Sequence, residues 1–263
     1  MRGYVERAIL PSLGQRQVRN VERSEIARVI RDYRDRVAKL RRSRSGGRPA
    51  ARALLAVFKG LFGYAVANGW IAQSPAAQLT AAIAGPPSLA RARVLSDDEI
   101  CFVMTTTIRP GPMLRFLLAT SLRLGEAYNG HREGQYWVVP ASASKNGREH
   151  RVWLSPIGLA QLEAFPRSCA VQNWLTYNSN GWTAHDLRRT FSTRNNAMGV
   201  PPYVVERMLN HTFDGVMAVY NHPTYDDERR EALDAWSAWL EKLVSSASLA
   251  EIVPPRPTTQ RAA

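Results

Sequence analysis

The length, composition and charge of the chain limit its identity before any motif is considered. Its 263 residues, 45% of them hydrophobic, are enough for two ordinary domains with buried cores. The formal net charge of +13 favours a polyanionic partner, although a ribosomal or membrane-surface protein could show the same balance. No window approaches about eighteen uninterrupted apolar residues. Two distant cysteines, Cys101 and Cys169, provide neither a zinc site nor a disulfide framework. We therefore expect a soluble, intracellular protein with reduced cysteines.

Basic residues and helical periodicity characterise residues 1–84, which we predict to form one helical domain. Met1–Gly60 contains 16 Lys and Arg against 5 Asp and Glu, so most contacts to a phosphate backbone are expected here. Apolar residues at three- and four-residue steps predict helices over 24–40 and 54–66, separated by a flexible basic loop over 41–49. From this segment alone, a generic helical bundle with solvated arginines is the simpler interpretation.

The segment 85–93 is rich in proline and arginine and has no periodicity, so we predict an interdomain linker that touches DNA. A second domain, residues 94–244, begins with the capping-box pattern Ser96-Asp97-Asp98-Glu99. The apolar stretch 113–127 predicts a single helix that carries Arg123 near its C-terminal end.

Two β-prone runs, 136–140 and 149–154, flank the sequence SASKNGR and predict a hairpin with Lys145 at or near its turn. A last amphipathic helix is predicted over 226–243, and 245–263 has the composition of a disordered tail. Together these elements predict a mainly α protein with a small antiparallel β region.

The stretch 183–220 holds the densest set of chemically active side chains. Thr183 and Asp186 form an N-cap pattern, and His185 and Arg188 share a face near the start of the helix that follows. A helix N-terminus presents free N–H groups and the positive end of the macrodipole. An imidazole and a guanidinium there are suited to an oxyanion or a phosphate.

A second helix, with Pro201-Pro202 at its start, ends at His211. The order HDLRRT, LNH and a tyrosine nine residues after His211 resembles the catalytic signature of the tyrosine recombinases, the phage integrase family of site-specific DNA recombinases. Upstream, FLLATSLRLGEA resembles the first-arginine motif of that family, with Arg123 as the arginine and Glu126 in the acidic position. ASKNGREHRVWLSP resembles its lysine hairpin, with Lys145 in the catalytic position. The resemblance covers nearly the whole chain and implies a core-binding domain followed by an integrase-type, DNA breaking–rejoining catalytic domain.

The resemblance also implies cleavage of a DNA phosphodiester without a metal or another cofactor. Arg123 and Arg188 would clamp the phosphate with forked, permanently charged hydrogen bonds that stabilise the transition state most. Tyr220 would attack the phosphorus. Because an unperturbed phenol has a pKa of about 10, the attack needs a base, for which His185 is the candidate.

Lys145 would then protonate the leaving 5′ oxygen, and His211 would hydrogen-bond the scissile phosphate. Glu126, by family analogy, would support the site rather than react. The product would be a 3′-phosphotyrosyl enzyme, which the 5′ hydroxyl of another strand would rejoin. Tyr203 and Tyr225 compete for the role of nucleophile, but the spacing favours the tyrosine nine residues after the histidine.

Two stretches are shorter than their counterparts in the family. YNGHREGQYWVV follows the first-arginine motif and leaves open the loss of a strand, and 165–182 is brief where relatives carry a longer helical section. The chain starts at the core-binding region, so no arm-binding domain is expected. These departures leave two alternatives open: a catalytically weak or inactive integrase-like DNA-binding protein, and a type IB topoisomerase-like DNA-relaxing enzyme.

Strand exchange joins two duplexes, so we expect double-stranded DNA as the partner and a homotetramer on DNA during synapsis, with no membrane partner. The expected location is the cytoplasm, in association with the nucleoid. The stripe of Leu233, Trp236, Leu240 and Leu243 on the last helix would either pack on its own domain or dock on a neighbouring protomer, and the sequence favours neither.

Overall fold

The computed structural model describes residues 2–41, 46–86, 92–162, 171–172, 174–175, 179, 181–212 and 224–247. Several expectations lie outside these residues: the Tyr220 nucleophile, Cys169, most of the short stretch 165–182, part of the linker and nearly all of the tail. The chain divides into two compact units, Met1–Arg91 (unit 1) and Ala92–Ala263 (unit 2).

Unit 1 is helical. Its elements are α1 (Arg2–Tyr4), a π-helical turn (Val5–Ile9), α2 (Leu10–Leu13), α3 (Arg23–Arg41), α4 (Arg48–Ala67) and 3₁₀ turns at Val18–Asn20 and Ala81–Ala84. The apolar sides of α3 and α4 pack together, because both helices repeat apolar residues at helical spacing. The largest buried side chains of this core are Ile26, Ile30, Leu54, Phe58 and Phe62.

The boundaries predicted in unit 1 differ in detail from the structure. The helix predicted over 24–40 begins one residue earlier, so Ser24 lies inside α3. Leu40, the last apolar residue of that predicted helix, is 77% exposed in the last turn of α3. The loop predicted over 41–49 is shorter because α4 takes in Pro49 in its first turn, where a missing N–H costs nothing.

The start of α4 depends on Gly47, whose φ is +72°. A Cβ at this position would lie 2.1 Å from the carbonyl oxygen of Arg34, so only glycine fits the turn between α3 and α4. By length and composition alone α4 could cross a membrane. One side of the helix, which includes Leu54 and Phe58, is instead buried in the core of unit 1, whereas Leu61, Tyr64 and Val66 on the other side are exposed.

Unit 2 combines helices with a small sheet. Its helices are α5 (Asp97–Thr105), α6 (Gly111–Thr120), α7 (Leu124–Asn129), α8 (Pro156–Ala160), α9 (Ala184–Ala197), α10 (Pro202–Met208) and α11 (Asp226–Ser246). The strands β1 (His131–Glu133), β2 (Tyr136–Val139) and β3 (His150–Trp153) form an antiparallel sheet in the order β1-β2-β3. The predicted mainly α class with a small antiparallel β region is confirmed.

The sheet settles two expectations about this part of the chain. The predicted hairpin is present, with Val139 paired to His150 on either side of the loop that carries Lys145. The short segment after the first-arginine motif still forms β1, so the loss of a strand that its length left open is not observed.

The prediction of a single helix over 113–127 was wrong. The chain forms α6, breaks at Ser121, and restarts as α7 with Arg123 as its N-cap residue. Ser121 has a left-handed φ of +56°, which a continuing α-helix does not allow. The Glu126 carboxylate accepts a hydrogen bond from the Arg123 backbone N–H at 2.9 Å, which stabilises the new helix start.

The C-terminal helix α11 packs on its own unit. Leu233, Trp236 and Leu240 are buried in the same core as α6 and α9. The Trp236 indole N–H donates to the Leu118 carbonyl at 3.0 Å, and its ring meets that of Phe191 at 5.6 Å. Of the two roles open for the stripe, the structure therefore shows packing on its own unit.

Replacing Leu240 by Ala should lower the free energy of unfolding of unit 2 by about 2–5 kcal/mol, because a fully buried side chain would leave a cavity. Urea titration followed by circular dichroism measures the change. Glu241→Ala, on the exposed side of the same helix, is the matched control and should be near neutral. If α11 instead docked on a neighbour, the unfolding midpoint would rise with protein concentration, which would contradict packing within one chain.

Candidate active site

The site begins at α9, whose start is fixed by a capping box. The Asp186 carboxylate accepts hydrogen bonds from the Thr183 backbone N–H and hydroxyl, both at 2.9 Å. This confirms the predicted helix start. It also places Arg188 in the second turn of the helix, pointing into unit 2, where it is only 3% exposed.

The buried Arg188 guanidinium joins three parts of unit 2. One terminal nitrogen donates to the Ser121 carbonyl at 2.5 Å, and the other donates to the Leu209 carbonyl and lies 3.3 Å from His211 Nε2. Burial, followed by the charge of Arg123, lowers the pKa of Arg188 to about 10. The side chain therefore stays charged at neutral pH.

Arg123 lies near this buried cation, as its effect on the pKa of Arg188 indicates. Its guanidinium donates to the Glu126 carboxylate at 2.6 Å, and Glu126 is 2% exposed. The Arg123 side chain keeps 27% of its surface exposed. A buried carboxylate thus fixes one end of the guanidinium while the side chain remains accessible to a ligand.

His211 follows the turn at the end of α10. Its Nδ1 lies 2.6 Å from the Glu206 carboxylate, and its Nε2 faces Arg188. These contacts fit the tautomer in which Nδ1–H donates to Glu206 and Nε2 accepts from the guanidinium. The ring is therefore held between a carboxylate and the arginine.

His185 is exposed near the start of α9. Partial burial of the ring, then the charges of Arg189 and Arg188, lower the pKa of His185 below its ordinary value. The imidazole is therefore neutral at pH 7 and can accept a proton. Arg189, the residue after Arg188, pairs with the Asp186 carboxylate at 2.9 Å.

Lys145 is exposed in the loop between β2 and β3. Its two chain neighbours, Ser144 and Asn146, both form hydrogen bonds with the Asn210 side chain. Because Asn210 directly precedes His211, the lysine loop is attached to the turn that carries the second histidine.

The structure thus brings together Arg123, Arg188 and His211, with His185 on the same helix as Arg188. The remaining member of the predicted set, Tyr220, lies outside the described residues. Its competitor Tyr225 packs against the core of unit 2 with its ring 4.9 Å from that of Tyr203.

Sequence reasoning missed His150, on β3. Its side chain is 5% exposed, and its Nε2 has no hydrogen-bond partner among the residues that the structure describes. Burial, then the charges of Arg229 and Arg188, lower the pKa of His150 to about 3. The alternation along β3 was the available signal, because it places His150 on the same inward face as Val152.

The comparisons with known proteins agree with this fold. No family model matches the chain. The chain is 26% identical, over an alignment of 273 residues, to an integrase of Shigella phage Sf6. The alignment covers 90% of this chain and 68% of the phage protein. It is 26% identical over 270 residues to the prophage integrase IntS of Escherichia coli strain K12, with the same two coverages.

Two solved structures share the fold. A lambda integrase dimer bound to a COC′ core site matches with a TM-score of 0.59 and 17% identity, over 86% of this chain and 88% of that one. A Tn1549 transposon integrase in complex with circular intermediate DNA matches with a TM-score of 0.53 and 15% identity, over 86% and 90%. The fold is therefore that of the integrase type. The two sequence matches, both to integrases, confirm the predicted resemblance to the tyrosine recombinases of the phage integrase family.

The buried, neutral His150 predicts a specific loss of stability in acid. Its pKa is about 3 when folded against about 6.5 ordinarily. Between these values the unfolded chain binds a proton that the folded chain does not, so the free energy of unfolding falls as the pH falls. The contribution is at most about 1.4 kcal/mol per pH unit.

His150→Asn should therefore flatten the pH dependence of unfolding between pH 6 and 4, as measured by urea titration at several pH values. The control is Asn196→Ala, since Asn196 is exposed on α9 and carries no titrating group, so the slope should be unchanged. Equal slopes for His150→Asn and the unmodified protein would show that His150 does not titrate in this way.

Proposed function

We propose that the chain is a site-specific DNA recombinase that cleaves and rejoins strands through a 3′-phosphotyrosyl intermediate. The observation that carries the proposal is the meeting of Arg123 and Arg188. They come from different helices, and their guanidiniums lie close enough for one charge to lower the pKa of the other. Two cations held close together form a site that is suited to bind an anion.

A scissile phosphate would relieve this repulsion. In the pentacoordinate transition state more negative charge develops on the non-bridging oxygens, so the clamp stabilises that state more than the bound substrate. Glu126 and Glu206 hold Arg123 and His211 in place beside the buried Arg188. The site is thus arranged before DNA binds, and little reorganisation is needed during the reaction.

The proposed steps balance without a cofactor. The Tyr220 oxygen attacks phosphorus, its phenolic proton passes to neutral His185, and the bond from phosphorus to the 5′ oxygen breaks. Lys145 gives a proton to that 5′ oxygen. The phosphotyrosyl bond keeps the energy of the phosphodiester, so a 5′ hydroxyl can reverse the steps and join a new strand.

We further propose that unit 1 supplies the core-binding contacts to duplex DNA and unit 2 the chemistry, matching the domains proposed at 1–84 and 94–244. Most of the excess positive charge lies in the first 60 residues, which suits a backbone-binding surface. The lambda and Tn1549 relatives are described as bound to DNA, which supports double-stranded DNA as the partner. A homotetramer would form when two sites are paired.

Covalent trapping tests the proposal. Nicked duplexes with a randomised centre are incubated with the protein, and DNA attached to it after SDS treatment is recovered and sequenced. An enriched sequence joined to the protein is expected. If DNA is bound but none is trapped, the chain is an inactive DNA-binding relative. Relaxation of supercoiled plasmid without exchange between two sites would instead identify a topoisomerase-like enzyme.

Tyr220→Phe should abolish the covalent adduct and leave DNA affinity within about twofold, because only one hydroxyl is removed. The recovered duplex serves for both measurements, by denaturing gel and by gel shift. Tyr225→Phe is the control and should still form the adduct. If Tyr225→Phe abolished the adduct and Tyr220→Phe still formed it, Tyr225 would be the nucleophile instead.

Arg123→Lys and Arg188→Lys should each slow cleavage about a hundredfold or more, because lysine keeps the charge but loses the forked geometry. Single-turnover rates on the recovered duplex measure the loss. Arg194→Lys is the matched control on α9, since Arg194 pairs with Asp97 away from the site. Near-normal cleavage by either site variant would remove that arginine from the clamp.

A further inference from the structure

A closed ring of hydrogen bonds joins the loop that carries Lys145 to the turn that carries His211. The Ser144 hydroxyl donates to the Asn146 side-chain carbonyl at 2.7 Å. The Asn146 amide donates to the Asn210 side-chain carbonyl at 2.8 Å, and the Asn210 amide donates back to the Ser144 hydroxyl at 2.9 Å. Each group acts once as donor and once as acceptor, so the ring is complete.

Main-chain groups hold the ring from both sides. The Asn146 side-chain carbonyl also accepts from the Arg148 backbone N–H at 3.1 Å, and the Asn146 amide reaches the Asn210 backbone carbonyl at 3.2 Å. Ser144 is buried, which limits competition from water. The main chain on both sides of Lys145 is therefore tied to a partner more than 60 positions away in sequence.

Asn210 is suited to this role by its backbone. It follows α10 with a left-handed φ of +50°, a conformation that glycine and asparagine adopt most readily. Glycine would satisfy the backbone equally well but could not close the ring. The asparagine side chain thus adds a contact that the turn itself does not require.

We propose that the Ser144–Asn146–Asn210 ring positions Lys145 for proton delivery by fixing its loop against the His211 turn before DNA binds. This inference rests on the proposed function, in which Lys145 protonates the leaving 5′ oxygen. Holding the loop lowers the entropy that must be lost when the ammonium group meets that oxygen. The ring therefore acts on the protonation step rather than on the arginine clamp.

A substrate whose leaving group needs no proton distinguishes an effect on the protonation step from an effect on the arginine clamp. In a duplex with sulfur in place of the bridging 5′ oxygen, the thiolate departs unprotonated, because a thiol has a pKa of only about 8.5. The probe is the duplex recovered by covalent trapping, made with either oxygen or sulfur at the cleaved position. The reference variant is Lys145→Ala, which should be slow on oxygen and nearly normal on sulfur.

Asn210→Gly keeps the left-handed backbone and removes the ring, and Ser144→Ala removes one link. Each should cleave the oxygen substrate at least about tenfold more slowly and the sulfur substrate within about threefold of the unmodified protein. Asn196→Gly is the matched control in the last turn of α9, where the side-chain amide donates to the Ser192 carbonyl of the same helix. It should leave both rates within about twofold.

Equal losses on the two substrates, or no loss on oxygen, would overturn the positioning role. If Lys145→Ala itself is slowed equally on both, or if the unmodified protein forms no adduct, the proposed function fails instead. Amide hydrogen exchange over 141–149 tests the ring without DNA. Asn210→Gly should speed exchange there about tenfold while the middle of α9 is unchanged, and unchanged exchange over 141–149 would overturn the proposal whatever the catalytic result.

Discussion

The burial of one charged side chain, Arg188, governs the arrangement of unit 2. A guanidinium removed from water must find acceptors, since an unpaired buried charge is strongly destabilising. Arg188 meets the carbonyls of Ser121 and Leu209, which lie where α6 and α10 end. Left-handed residues occur at both ends, Ser121 itself and Asn210. Two helix ends therefore converge on a single cation, and the first arginine and the second histidine follow directly after them.

This constraint explains which parts of the fold could be predicted. Local signals were sufficient where the cause is local: the capping boxes at Ser96 and Thr183 are present, as is the β2–β3 hairpin. The break at Ser121 had no such signal, because the residues next to it, 118–124, include no proline or glycine to end a helix. The acceptor that Arg188 requires is 67 positions away in sequence, so the turn is set by tertiary contact.

In the candidate site, too, some residues are indicated by local sequence signals and others depend on tertiary contacts. The motifs indicated Arg123, Arg188 and His211, and the structure brings these side chains together. The residues that hold these side chains in place are harder to recognise in the sequence. Asn after a helix is a known signal for a left-handed turn, but nothing local in the sequence indicates that the Asn210 amide reaches Ser144. His150 was missed for a different reason. A single inward-facing histidine on a short strand has the same sequence pattern as an ordinary core position.

Ion pairs near Arg188 neutralise its neighbouring arginines but not Arg188 itself. Neighbouring arginines of unit 2 are neutralised locally: Arg123, Arg189, Arg229 and Arg230 each pair with a carboxylate three residues away on the same helix or turn. Within the part of the chain that the structure describes, Arg188 has no carboxylate within ion-pairing distance, and its acceptors are neutral carbonyls and an imidazole. Carbonyl dipoles satisfy its hydrogen bonds without cancelling its charge. The Glu126 and Glu206 carboxylates nearby offset part of this charge, and the low dielectric of the buried site makes the remaining positive potential act more strongly on an entering anion.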